Sequence, residues 1–354
     1  MGGEERGDDC DRRRYGNFQD PVGVILRMIR SGNRSARSAL YLAALEQLMT
    51  PLDRALAGQE QRRLSEATAE SDLPILLLVG SPRSGTTVVA SLLIRALAVT
   101  YIDNFSAMFR RAPLTAARLS RSLGVVREGR SSLSNFYGNT AGISSPNDGF
   151  NIWNRWLGED RYQPVTAVSD DAQVEMRRFF AAWSATFERP FFNKNNRNLG
   201  CIGLLSAALP SVCFVLVRRR PLYIAQSLLL AREVVQGSPR TGWGYGAMQE
   251  PCDDPIADVV RQVHTIETTI TTQRALVDPA RILDVDYEDF CVRPNHYAQQ
   301  IGYRLLDRPP RATGSGHSIP QLEPSRRQRL PSRQFLRLRR ELEQAGLDCS
   351  ASPL

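Results

Sequence analysis

Residues 73–87 constrain this chain more tightly than any other stretch. Leu73-Pro74-Ile75-Leu76-Leu77-Leu78-Val79 is an unbroken apolar run that empties into the glycine-bracketed turn Gly80-Ser81-Pro82-Arg83-Ser84-Gly85-Thr86-Thr87. A run this short and continuous predicts a strand buried on both faces of a parallel sheet. The residues after it, Val88-Val89-Ala90-Ser91-Leu92-Leu93-Ile94-Arg95-Ala96-Leu97, read as a helix. Strand, tight turn and helix N-terminus together direct backbone N–H groups and the positive end of a helix dipole at one point, where an anion belongs. The expected fold class is α/β.

Gly80 and Gly85 have the G-x-x-x-x-G spacing of the nucleotide-binding P-loop, but its lysine is missing. Thr86 stands at that position, and the positive charge sits inside the turn as Arg83. A guanidinium keeps its charge near neutral pH and can grip two oxygens of a phosphate or sulfonate at once. The plainer reading, a turn that only joins a strand to a helix, is weakened by the order strand, Pro-Arg-Ser-Gly-Thr-Thr, helix.

The turn resembles the 5′-phosphosulfate-binding loop of sulfotransferases, which use 3′-phosphoadenosine 5′-phosphosulfate (PAPS). A second apolar strand, Val212-Cys213-Phe214-Val215-Leu216-Val217, runs into Arg218-Arg219-Arg220-Pro221 and then a helix carrying Ser227. The resemblance implies that Arg219 and Ser227, eight residues apart, hold the 3′-phosphate of PAPS. The family commonly has Asp where this chain has Arg220, which leaves the register between Arg218 and Arg219 open. Phe191-Phe192-Asn193-Lys194-Asn195-Asn196 is similar to the family's lysine motif, placing Lys194 near the transferring sulfonate. Tyr287-Glu288-Asp289-Phe290 resembles the step closing the last strand of bacterial members, with Glu288 and Asp289 in a capping or orienting role. The implied architecture is a three-layer α/β/α core around a central parallel sheet, a P-loop-like sulfotransferase fold with an N-terminal helical extension.

The acceptor would be read near residues 100–109 and 145–156. Relatives place the catalytic base on a carboxylate shortly after the loop helix or on a later histidine, and neither pattern is matched cleanly. Asp103 is the first candidate, although a strict count falls nearer Asn104. Asp148 is the second, and Trp153 beside it is a candidate acceptor contact. In-line transfer gathers negative charge on the equatorial and leaving oxygens. The amides of residues 80–87, Arg83, the Thr86 and Thr87 hydroxyls and Lys194 would answer it. The implied donor is PAPS, with no metal, and His264, His296 and His317 are too scattered for a zinc site. Carbohydrate or glycolipid hydroxyls are the first expectation for the acceptor, phenolic or peptide-scaffold hydroxyls the second.

With 354 residues the chain can hold one large α/β domain plus extensions. The net charge of +8 is shared by nucleic-acid binders, yet no basic helix interleaved with aromatics supports that partner. The clusters Arg326-Arg327-Gln328-Arg329 and Arg337-Leu338-Arg339-Arg340 read as a solvated basic face, compatible also with anionic acceptors or lipid headgroups. Six cysteines without paired spacing suit a reducing compartment, and no apolar run reaches membrane-spanning length, so the expected location is cytoplasmic. The expected organisation is a disordered tail over 1–20, a helical extension over 21–70, a core over 71–305 and a basic C-terminal segment over 306–354 with one helix. A Gly-, Trp- and Pro-rich loop over 236–255 is a candidate acceptor lid. Two competing readings share the first loop: a P-loop kinase, which lacks support without a lysine at position 86, and a non-catalytic anion-binding protein.

Overall fold

The continuous apolar run becomes β1 (Ile75–Gly80), buried along its whole length, and it takes the centre of the sheet. The computed structural model describes residues 21–67, 73–127, 133, 135–161, 164–248, 250–311 and 319–349. The tail expected over 1–20, and residues 312–318 of the C-terminal segment, lie outside them. Along the chain, α1 (Pro21–Arg30) and α2 (Arg34–Glu66) precede β1, and α3 (Thr86–Ala96) follows it directly. Next come β2 (Thr100–Tyr101), α4 (Pro113–Ser122) and a small hairpin, β3 (Asn135–Phe136) with β4 (Asn139–Thr140). Helices α5 (Phe150–Leu157) and α6 (Asp170–Phe187) lead to β5 (Phe191–Lys194), and α7 (Ile202–Ala208) to β6 (Val212–Arg218). Helix α8 (Pro221–Ala231) runs into a π-helical turn at Arg232–Gln236, followed by α9 (Pro255–Arg274) and β7 (Ile282–Asp286). The chain ends with α10 (Tyr287–Val292), α11 (Pro294–Leu305) and α12 (Ser332–Gln344).

The main sheet has five parallel strands in the order β2-β5-β1-β6-β7. Successive β1 residues feed opposite cores, which is why its sequence shows no polar alternation. Leu76 and Leu78 pack with Val89, Leu92 and Leu93 of α3 and Ile301 of α11. Ile75, Leu77 and Val79 join Phe179, Phe180 and Trp183 of α6 on the other side. Because β5 and β6 flank β1 on either side, the ends of three strands open at one crevice, where ligands of open α/β sheets bind.

Helix α2 is fastened to this core through two of its own buried carboxylates, seven residues apart. Asp53 accepts from the Arg111 and Ala112 amides, and Glu60 accepts from the Leu114 and Thr115 amides and the Thr115 hydroxyl. Together they satisfy the open N-terminus of α4, whose N1 residue, Pro113, needs no partner. At the other end, α12 packs Leu338 and Leu342 into a third apolar cluster with α8 and α9. Among the described residues no helix is long and apolar enough to cross a membrane.

Candidate active site

At the exit of β1 the backbone is forced into a tight cradle. A side chain at Gly80 would bring its Cβ to 2.6 Å from the Val217 carbonyl of β6, so glycine lets the two strands converge there. Ser84 closes the turn by donating to the Ser81 carbonyl from both its amide (3.1 Å) and its hydroxyl (2.8 Å). Arg83 has φ 71°, a left-handed conformation costly for a residue with a Cβ. The gain is direction: its Nε donates to the Ser227 hydroxyl at 2.9 Å, and its guanidinium lies 4.9 Å from the centre of the Tyr137 ring. Gly85 has φ 93° and the Tyr287 ring packed where a Cβ would stand. Gly85→Ala therefore lowers stability by at least about 1–2 kcal/mol from the backbone alone. Overlap with Tyr287 adds to this, and a thermal melt compared with the parent protein checks it.

The second strand-to-helix junction meets the first. Arg219 Nη1 donates to the Arg83 carbonyl (2.8 Å) and Nη2 to the Ser325 carbonyl (2.6 Å), and the guanidinium stacks 4.8 Å from the Tyr287 ring centre. Its Nε lies 3.9 Å from Glu288 Oε1. Burial pulls the Arg219 pKa down while Tyr287 and Glu288 oppose the shift, and burial likewise raises Glu288. Arg218 turns away to pair with Glu267 of α9 at 3.0 Å, so it is Arg219 that faces the crevice.

Lys194 ends β5 beside the cradle, opposite Leu78 of β1. Its Nζ pairs with Asp148 Oδ1 at 2.6 Å, with the lysine side chain 5% and the aspartate 18% exposed. Burial raises the Asp148 pKa above its ordinary value, and the Lys194 charge works against that shift. A lattice of amides fixes the segment that carries this carboxylate. Asn195 donates to the Asp148 carbonyl (3.0 Å), Asn193 to the Asn147 carbonyl (3.0 Å) and Asn147 to Asn104 Oδ1 (2.8 Å). Asn104 in turn donates to the Thr140 and Gly142 carbonyls, and the Thr86 hydroxyl bonds Asn196 Oδ1 at 3.0 Å.

Two sequence candidates are placed elsewhere. Asp103 is fully buried, pairs with Arg121 at 3.2 Å and accepts from the Ser106 amide, whereas its neighbour Asn104 lines the crevice. Trp153 is also fully buried, with its Nε1 donating to Asn193 Oδ1 and its ring among Trp156 and Phe180, so it belongs to the core. The tryptophan on the crevice wall is Trp243, from the loop over 236–255.

A model of the sulfotransferase family matches residues 74–309. The chain belongs to the sulfotransferase family. Solved structures similar to this sulfotransferase include sulfotransferase STF1 from Mycobacterium tuberculosis H37Rv, at 15% identity over 83% of each chain with a TM-score of 0.49. Sulfotransferase STF9 from Mycobacterium avium shares 16% identity over 82% of this chain and 72% of its own, with a TM-score of 0.47. The sulfotransferase domain of the Synechococcus PCC 7002 olefin synthase shares 16% over 79% and 96%, with a TM-score of 0.39. No curated protein matches the sequence.

In this sulfotransferase the crevice is a cavity of about 780 Å³. Arg83, Arg161, Lys194, Arg219 and Arg329 line it against Glu46 and Asp148, a balance suited to a multiply charged anion. Among the described residues no group of three or more His, Cys, Asp or Glu is arranged to hold a metal. Arg329 was legible only as part of a basic cluster. It reaches the cavity because Gln226 of α8 clamps the chain: Oε1 accepts from the Arg329 and Leu330 amides and Nε2 donates to the Arg327 carbonyl. The turn Tyr137-Gly138, both with positive φ, similarly delivers Tyr137 onto Arg83. The Tyr137-Gly138 pair, set between Asn135-Phe136 and Asn139-Thr140, is the available signal for that hairpin.

Proposed function

We propose that this sulfotransferase moves a sulfonate group from PAPS to an acceptor hydroxyl. One observation carries the reading: Arg83 and the pair Arg219 and Ser227, more than 130 residues apart in sequence, are hydrogen-bonded to each other at one crevice. Two anion sites thus sit side by side, as a donor bearing phosphates at both ends of its ribose needs, and PAPS would supply the activated sulfonate. The cradle amides of residues 80–87, Arg83 and the Thr86 and Thr87 hydroxyls would hold the 5′-phosphosulfate. Arg219, Ser227 and Arg329 would hold the 3′-phosphate.

Lys194 and Asp148 complete the chemistry. Asp148, with a carboxylate made more basic by burial, accepts the acceptor's hydroxyl proton. The acceptor oxygen forms its bond to sulfur as the bond from sulfur to the bridging 5′-phosphate oxygen breaks, and that oxygen leaves with the electron pair. Lys194 Nζ neutralises it. The cation that steadies the leaving group is thereby the same one that tempers the base.

The test is a comparison of ligands. Calorimetry should show adenosine 3′,5′-bisphosphate binding at least about tenfold more tightly than ATP, with or without magnesium, since the second anion site adds charge-assisted bonds. Radiolabelled sulfonate should then pass from PAPS to members of a hydroxyl panel. Preferential binding of ATP would overturn the reading, and bisphosphate binding without transfer to any acceptor would speak against the Asp148 and Lys194 roles.

A further inference from the structure

One stretch of the cavity wall has no part in anion binding. Val24 and Met28 of α1 and Leu40 and Ala43 of α2 line it, with Val234 and Val235 of the π-helical turn. That turn would ordinarily leave carbonyls seeking partners. Here Arg27 donates to the Val234 carbonyl (3.1 Å) and the Val235 carbonyl (3.3 Å), and Gly237 leaves room for the guanidinium. With those groups satisfied, these six side chains form a stretch of wall that cannot hydrogen-bond, while Glu46 of α2, which accepts from Arg110, and the hairpin residues Asn139 and Thr140 line the cavity beside it. A body rich in hydroxyls would lose its water there and gain no partner.

The apolar surface also continues outward. At 3.6 residues per turn, Val24 and Met28 share one side of α1, Ile25 stands beside them at the rim, and Val22, Leu26 and Ile29 follow round the helix. Those last three are 44–69% exposed, while Arg27 and Arg30 occupy the remaining side. An unbroken apolar track therefore leads from the cavity over Ile25 to the outer face of α1. A single chain of methylenes fits such a track, since it buries area without needing polar partners.

We infer that the acceptor is an amphiphilic alcohol whose hydroxyl meets Lys194 and Asp148 and whose alkyl chain lies against Val24, Met28, Leu40 and Ala43 before emerging over Ile25. The inference rests on the donor occupying the cradle, as proposed above. The test uses the full chain and the 1-alkanols from butan-1-ol to decan-1-ol, titrated with adenosine 3′,5′-bisphosphate present at saturation. Affinity should rise about threefold to fourfold per methylene. Ala43→Trp, which fills the channel, and Met28→Glu, which charges it, should each weaken decan-1-ol binding by about tenfold or more and leave bisphosphate affinity within about twofold. An affinity independent of chain length in the unmodified protein, or glycerol binding as tightly as decan-1-ol, would overturn the inference. Loss of bisphosphate binding with the chain-length dependence intact would instead sink the donor assignment and leave the alkyl channel standing.

Discussion

Arg219→Ala lowers the affinity for adenosine 3′,5′-bisphosphate about a hundredfold, roughly 3 kcal/mol, while adenosine 5′-phosphate loses no more than about threefold. The size follows from what the guanidinium does. It is nearly buried, stacked on Tyr287 and already bonded to the Arg83 and Ser325 carbonyls, so it offers a phosphate a charge whose ordering cost has been met by the fold. The alanine variant leaves Glu288 buried without its cation, but that carboxyl is already displaced toward its neutral form and can take up a proton. Folding is thus less threatened than binding. Arg219→Lys should recover only part of the affinity, because an ammonium on a flexible stem cannot span both carbonyls and a phosphate. Calorimetry on the two nucleotides decides the matter: equal losses for both would mean that Arg219 acts by general charge and not on the 3′-phosphate.

Asp148→Asn cuts sulfonate transfer by about a hundredfold to ten-thousandfold with bisphosphate affinity nearly unchanged. Asparagine keeps the shape and an oxygen for Lys194 but cannot accept a proton. The pH profile supplies the sign. Burial raises the Asp148 pKa above 3.8, so the carboxylate forms only as pH climbs through that raised value, and the rate climbs with it. The acid limb therefore lies above the ordinary range for aspartate, and in the asparagine variant it flattens. Transfer rates measured across that limb check this, and a variant that retains both full rate and the limb would remove Asp148 from the mechanism.

The parts of the molecule legible in the sequence are those written in apolar runs and in glycine. Strands β1 and β6 announce themselves because both of their faces are buried, and Gly80 and Gly85 because no other residue fits beside Val217 and Tyr287. Strand β2 is only two residues long and carries no pattern. The amide lattice around Asp148 is not legible in the sequence for a different reason. Asparagine is as common in exposed loops as in buried networks, and its partners here lie 36–47 residues away in sequence. Trp153 misleads in the same way: a tryptophan beside a candidate carboxylate reads equally as a ligand contact or as core, and only the Phe180 and Asn193 contacts settle it. The register between Arg218 and Arg219 was likewise open until Glu267 claimed the first of them.

The clamp that Gln226 exerts on residues 327–330 also orders events in the making of the protein. The cradle at residues 80–87 is synthesised long before Ser325 and Arg329, which belong to the same cavity wall. A nascent chain that already holds the whole sheet through β7 still has an open-sided pocket, and the enclosure is completed only when residues 325–329 have followed it out of the ribosome.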